Sequence, residues 1–243
     1  MLMQQGSGEH IAALVALAVG VGAAVWAPRR YGGPWVVPVM RGLALVILAA
    51  YITEYVANAV EGTWSARYNL PLQLTDAVTL VAVAALWSPR PLLVEVVYFW
   101  ALTASLQAVL TPDLGQAFPS IFYFTYFATH VGAVLAACLL TFGLRLTPRA
   151  GAVWRVYLVT AAFAVIVGAA DLVTGANYMY LRHKPERSSL LDLMGPWPWY
   201  ILAGAAFGLA VFGVLAALAR VGGVRDSDAT RRPAWSPRPR DAS

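Results

Sequence analysis

Charge is what this 243-residue sequence has least of: Asp, Glu, Lys and Arg together make up 12% of it. A soluble domain needs roughly a quarter of its residues charged to keep its surface hydrated. Lysine occurs once, at Lys184, against sixteen arginines. Cys138 is the only cysteine, which excludes an intrachain disulfide and a cysteine-based zinc site. The three histidines, His10, His130 and His183, are far apart in the chain, and no metal centre or cofactor is expected. Walker A, Gly-x-Ser-x-Gly and His-Glu-x-x-His motifs are all missing. The net charge of +5 does not point to nucleic acid, because the arginines lie between apolar runs and in the C-terminal tail, with no basic module.

What fills the chain is apolar: 60% of residues are hydrophobic and the mean hydropathy is +0.65. The runs are continuous rather than alternating, so they suit helices of about 20 residues crossing a bilayer and not barrel strands. The expected fold is all-α, a polytopic bundle of seven transmembrane helices. The spans read as His10–Ala27, Val36–Val60, Leu70–Trp87, Leu92–Leu110, Ile121–Phe142, Ala152–Thr174 and Trp197–Ala219, separated by Pro/Gly-containing breaks. Residues 1–220 then form the transmembrane domain, and residues 221–243, rich in Pro, Arg, Asp and Ser, a disordered cytoplasmic tail. The first run lacks a basic leader, since Glu9 is the only charge before it, and reads as a retained span rather than a signal peptide.

Seven spans place thirteen arginines on one side, from Arg29 and Arg30 through Arg41, Arg90, Arg145, Arg149 and Arg155 to the tail. The other side holds four cations, Arg67, Arg182, Lys184 and Arg187. Cytoplasmic loops carry the basic excess, so the N-terminus is expected outside and the C-terminus in the cytoplasm of a bacterial plasma membrane.

With that orientation the embedded polar residues gather towards the outer half. Glu54, Asn58 and Glu61 form one stripe at the end of the second span. Gln73, Thr75 and Asp76 open the third, Thr103, Gln107 and Thr111 end the fourth, and Asp171 and Thr174 end the sixth. His130 lies nine residues into the fifth span, beyond Tyr123, Tyr126 and Phe127 on the same face. Ionisable groups cost about 2.5–3.5 kcal/mol each in a bilayer on insertion scales, so they are expected to turn inward to one hydrated cavity open to the outside. For residues within a turn of a helix end, contact with water or headgroups explains them equally well. The loop from residue 175 to 196 is long for a helix connection. It carries Asn177, Tyr178, Tyr180, Arg182, His183 and Lys184 and runs into Trp197, Trp199 and Tyr200. Two readings of it stay open: an anchored re-entry with an aromatic belt, or a lid whose cations meet an anionic headgroup.

The stretch Leu70-Pro71-Leu72-Gln73-Leu74-Thr75-Asp76, then Leu106-Gln107-Ala108, Thr111-Pro112-Asp113-Leu114, Phe127…His130, Asn177-Tyr178, Lys184-Pro185 and Gly195-Pro196-Trp197-Pro198-Trp199-Tyr200 resembles the YwaF-like bacterial integral membrane proteins. These are similar in turn to a eukaryotic transmembrane protein regarded as an acyltransferase acting on lysophospholipids. That resemblance implies a catalytic histidine at His130 and places the family's cysteine at Thr75, with its histidine two positions earlier at Gln73. A thiol is partly ionised at neutral pH, whereas a threonine hydroxyl is crowded and needs a positioned base.

Two functions are therefore carried forward. In one, the outer cavity binds a lipid or small molecule without chemistry, through Gln73, Asp76, Gln107, Asp113, Tyr126, Glu54, Asp171, Asn177 and Lys184. In the other, the chain is a membrane acyltransferase acting on phospholipids, with His130 as base and Thr75 or water as nucleophile. Membrane lipids are the expected partners, nucleic acid is not, and nothing in the residues sets an oligomeric state.

Overall fold

The computed structural model describes residues 3–185 and 189–222, and every regular element among them is helical. Helix α1 spans Gly8–Tyr31, α2 Val36–Val60, α3 Leu74–Trp87, α4 Pro91–Leu110, α5 Ile121–Gly143, α6 Ala152–Thr174 and α7 Trp199–Gly222. Six of these are long and apolar enough to cross a membrane. The seventh, α3, has 14 residues, about 21 Å at 1.5 Å per residue against a hydrocarbon core of roughly 30 Å.

The third span thus needs correction: it was expected from Leu70, and the helix begins at Leu74. Pro71 has no amide hydrogen, and Gln73 and Asp76 form a reciprocal cap in which the Asp76 carboxylate takes the Gln73 N–H at 3.1 Å. Leu70 and Leu72 are half-buried all the same, packed as loop residues around Tyr178. The apolar run was real, but it buries its leucines without being helical. At the other end of the chain α7 continues through Gly222, past the expected Ala219. The tail expected to be disordered lies, from residue 223, outside the described residues.

Successive helices alternate direction between two ends of the bundle. At the entry end, where α1 starts, the His10 ring meets the Val109 carbonyl at 2.9 Å and Tyr123 donates to the Glu9 carbonyl at 2.8 Å. The α2–α3 and α6–α7 connections meet at the same end, where the Gln73 side chain accepts the Met179 N–H at 3.0 Å. At the opposite end Arg29 donates to the Phe142 carbonyl at 2.7 Å, and the Arg41 guanidinium lies 5.2 Å from the centre of the Trp87 ring. Short as it is, α3 also runs from the entry end to the neighbourhood of the other.

The core sits where α3, α4 and α5 pack together, with α2 against α3 and α5, α1 against α5, and α6 and α7 against α4. Close approach is set by a small residue: a β-carbon on Gly132 in α5 would sit 2.5 Å from Ile47 Cγ1 in α2. Polar ties hold the outer pair, with Tyr98 donating to the Leu215 carbonyl at 2.8 Å and Trp100 to the Thr160 hydroxyl at 2.7 Å. At the opposite end Glu95, 1% exposed, is gripped by Arg149 and Arg155, each with a contact at 2.8 Å. A carboxylate so buried is tolerable because two guanidiniums and the Arg149 N–H satisfy its oxygens.

Candidate functional site

The entry end holds a cavity of about 450 Å³, lined by Arg67 and Tyr68 from the α2–α3 connection, Gln73 at the cap of α3, Asp113 from the α4–α5 connection, and Gly175, Asn177, Tyr178, Tyr180, His183, Lys184 and Pro185 from the α6–α7 connection. A smaller one of about 40 Å³ lies beside it, lined by Glu54, Tyr55, Asn58, Tyr68, Asn69, Leu70 and Asp76, so that Tyr68 borders both.

The wall formed by residues 175–185 is built by side chains that replace regular backbone pairing. Helix α6 stops at Gly175, whose φ of 73° is left-handed and whose N–H bonds the Asp171 carbonyl. Asp171, fully buried, takes the Tyr178 N–H on Oδ1 at 2.9 Å, while its Oδ2 has no partner among the described residues. Asn177 anchors the next turn: its Oδ1 accepts the Arg182 and His183 N–H groups, and its Nδ2 donates to the His183 carbonyl at 2.8 Å. His183 Nδ1 lies 3.1 Å from the same amide nitrogen and 3.1 Å from the Lys184 carbonyl, so the ring is held within this turn. This turn presents His183 and Lys184 to the cavity.

Tyr178 carries the most. It is 1% exposed, its phenol accepts the Leu70 N–H at 2.7 Å, and it donates to the Ala66 carbonyl at 2.9 Å. Met179 and Tyr180 follow with φ of 53° and 57°, two consecutive side-chain-bearing residues in the left-handed region. Such conformations cost about 1–3 kcal/mol each and persist where the surroundings over-determine them. Here Gln73 holds the Met179 amide and the Tyr200 hydroxyl bonds the Tyr180 carbonyl. Burial pushes both phenols above the usual tyrosine range. The charges of Asp76 and Asp171 add to this at Tyr178, where the Leu70 N–H pulls the other way, and that of Asp113 adds at Tyr180. Both therefore stay neutral hydrogen-bonding groups at neutral pH.

Of the residues expected to bind, Gln73, Asp113, Asn177 and Lys184 line the larger cavity, and Glu54 and Asp76 the smaller. Asp171 lies beneath the wall. Tyr126 donates to the Ala108 carbonyl at 2.8 Å and lies within electrostatic reach of both Asp113 and Glu54. Gln107 lies elsewhere: it is exposed, and its amide bonds the Thr111 hydroxyl at 2.7 Å on its own helix. A π-helical turn over Ala101–Ser105 precedes it in α4.

His130 and Thr75 line neither cavity. The His130 ring stacks on Tyr126 with centres 4.2 Å apart, and its Nδ1 meets the Tyr126 carbonyl at 2.7 Å. A carbonyl only accepts, so Nδ1 carries the proton and Nε2 keeps a lone pair. Thr75 is half-buried, and among the described residues no hydrogen bond joins it to His130. Arg67, Tyr68, Tyr178, Tyr180 and His183 line the cavity without having been singled out as binding residues. Their signal in the sequence, aromatics and cations in long loops, is also that of an interfacial belt.

A family comparison matches residues 5–216, most of the chain, from before α1 to within α7. The chain belongs to the TMEM164 family. It is a multi-pass membrane protein of that family, with six apolar helices of spanning length. No curated protein and no solved structure matched the chain. The TMEM164 match takes in the α2–α3, α4–α5 and α6–α7 connections together, so the whole cavity falls within the family's extent.

Proposed function

We propose that this protein is a seven-pass protein of the bacterial plasma membrane, N-terminus outside, whose outward cavity binds the polar end of a membrane lipid or similar amphiphile without covalent chemistry of its own. The observation that carries this reading is the cavity of about 450 Å³ at the entry end, walled by polar side chains from three connections. Its volume falls in the range of small-ligand sites, roughly 300–1,000 Å³. The basic excess that the seven-span reading of the sequence puts on the opposite side, thirteen of seventeen cationic residues, supports the orientation. The absence of the cysteine from position 75, and of any bond between Thr75 and His130, favours binding over catalysis.

Acyl transfer on phospholipids is the second reading, resting on the resemblance and on the free Nε2 lone pair of His130, which would suit a general base. The first reading is tested by mass spectrometry of lipids that copurify with the wild type and with Asn177→Leu, which removes the amide that holds the cavity wall. A lipid bound stoichiometrically to the wild type and depleted in the variant is expected. Identical trace lipids in both would remove the basis for the proposal.

A further inference from the structure

We infer that the cavity recognises a phosphate ester, gripped between Arg67 on one connection and Lys184 on another, and that Asp192 competes with the ligand for Lys184. This rests on the binding reading above and names the chemistry of its ligand. Arg67 lines the cavity and has no carboxylate at ion-pair distance among the described residues; its guanidinium only lies 5.7 Å from the centre of the Tyr68 ring. Lys184 lines the same cavity half-buried, with the side chain 25% exposed. Its ammonium is 3.9 Å from Asp192 Oδ1, the outer limit of an ion pair, and 5.7 Å from the centre of the Tyr200 ring. Asp192 is itself engaged elsewhere, since its Oδ2 caps the turn over Leu190–Met194 by accepting the Ser189 N–H at 2.8 Å. So the lysine is weakly held, and a ligand oxyanion can replace a partner that loses little by letting go.

The two cations come from different connections, and among the described lining residues they stand against one carboxylate, Asp113. An arginine offers paired N–H donors suited to phosphate oxygens, and a lysine a movable point charge. Of the remaining lining side chains, Tyr68, Tyr180 and the amide nitrogen of Gln73 carry donors suited to ester oxygens, whereas those of Tyr178 and Asn177 are taken up within the wall. Tyr178 fastens the α6–α7 connection to Leu70 and Ala66 beside Arg67, and the two cations line one cavity. We assign the ester to a lipid headgroup because the cavity lies at one end of a bundle whose outer helices α1, α6 and α7 expose apolar surface.

The test measures affinity of the full-length protein in detergent for four probes: dioctanoyl phosphatidate, dioctanoylglycerol, glycerol 3-phosphate and inorganic phosphate. Phosphatidate is expected to bind at least about tenfold more tightly than dioctanoylglycerol, as hydrogen bonds to charged groups allow. Arg67→Gln and Lys184→Gln each erase most of that margin and leave dioctanoylglycerol unchanged, whereas Asp192→Asn tightens phosphatidate. Equal binding of phosphatidate and dioctanoylglycerol to the wild type would overturn the phosphate assignment while leaving lipid binding intact. Phosphatidate binding that survives both Arg67→Gln and Lys184→Gln would overturn it as well. Inorganic phosphate or glycerol 3-phosphate binding as tightly as phosphatidate would keep the anion site and overturn its lipid source. Binding of none of the four would overturn the inference together with the reading beneath it.

Discussion

The side-chain carbonyl of Gln73 accepts the backbone hydrogen of Met179 at 3.0 Å, joining the cap of α3 to a connection 106 residues further along the chain. Met179 is held in a left-handed conformation there, next to Tyr180 in another. One hydrogen bond thus helps to keep a strained pair of residues in the wall of the cavity. Removing it in Gln73→Ala should loosen the wall and leave the helices in place. Hydrogen exchange at the Met179 amide is expected to quicken by about fivefold to tenfold, in line with a net hydrogen-bond contribution of about 1 kcal/mol. Unchanged exchange across residues 175–185 would mean that Tyr178 and Asp171 hold the wall unaided.

Packing makes a separate demand at Gly132. Its missing side chain lets α5 lie against Ile47 of α2. Gly132→Val should strain this crossing by about 1–3 kcal/mol, the range for overpacked cores. A lower melting temperature for the purified protein checks this, and Gly132→Val with Ile47→Ala should recover part of the loss. No recovery would show that the clash is not with Ile47.

The threonine at position 75 carries the prediction about chemistry. Thr75 is not bonded to His130, and among the described residues His130 has hydrogen-bond partners only in its own helix. The purified wild type is expected to show little or no acyl transfer to lysophospholipid, and Thr75→Cys to raise it if the two side chains can meet in a substrate complex. Robust transfer by the wild type that vanishes in Thr75→Val would place the enzyme reading first.

Orientation is open to a direct check. In a Cys138→Ala background, Ser7→Cys should react with an impermeant thiol reagent in intact cells and Ser236→Cys should not. The reverse pattern would turn the protein over, and would move the cavity to the cytoplasmic face.

Much of this architecture is written in the apolar runs. Helices α1, α2 and α4 to α7 begin and end within a few residues of where the Pro and Gly breaks suggest, because a bilayer-length run leaves little freedom. The start of α3 is harder to read. Leu70 and Leu72 look like helix and pack, half-buried, as loop against Tyr178, since hydropathy reports an apolar environment and not conformation. Gln73, Asp113, Asn177 and Lys184 could be picked out as polar groups near helix ends, and they come together only because three connections fold over the same end. Gln107 reads as one more such polar group, yet it bonds its neighbour Thr111 and lines neither cavity. Arg67 and Tyr68 resemble surface residues of any membrane loop until Tyr178 is seen to anchor that loop from 112 residues away.

Binding in the cavity is tested most directly by photo-crosslinking with a lipid that carries its reactive group near the headgroup, followed by peptide mapping. Crosslinks are expected in residues 64–73, 111–120 and 175–185, the three connections that wall the cavity. They should fall in Asn177→Leu and be displaced by unlabelled phospholipid. Crosslinks confined to the exposed faces of α1, α6 and α7, undiminished by Asn177→Leu, would show the lipid only as solvent and contradict a binding site at this end of the bundle.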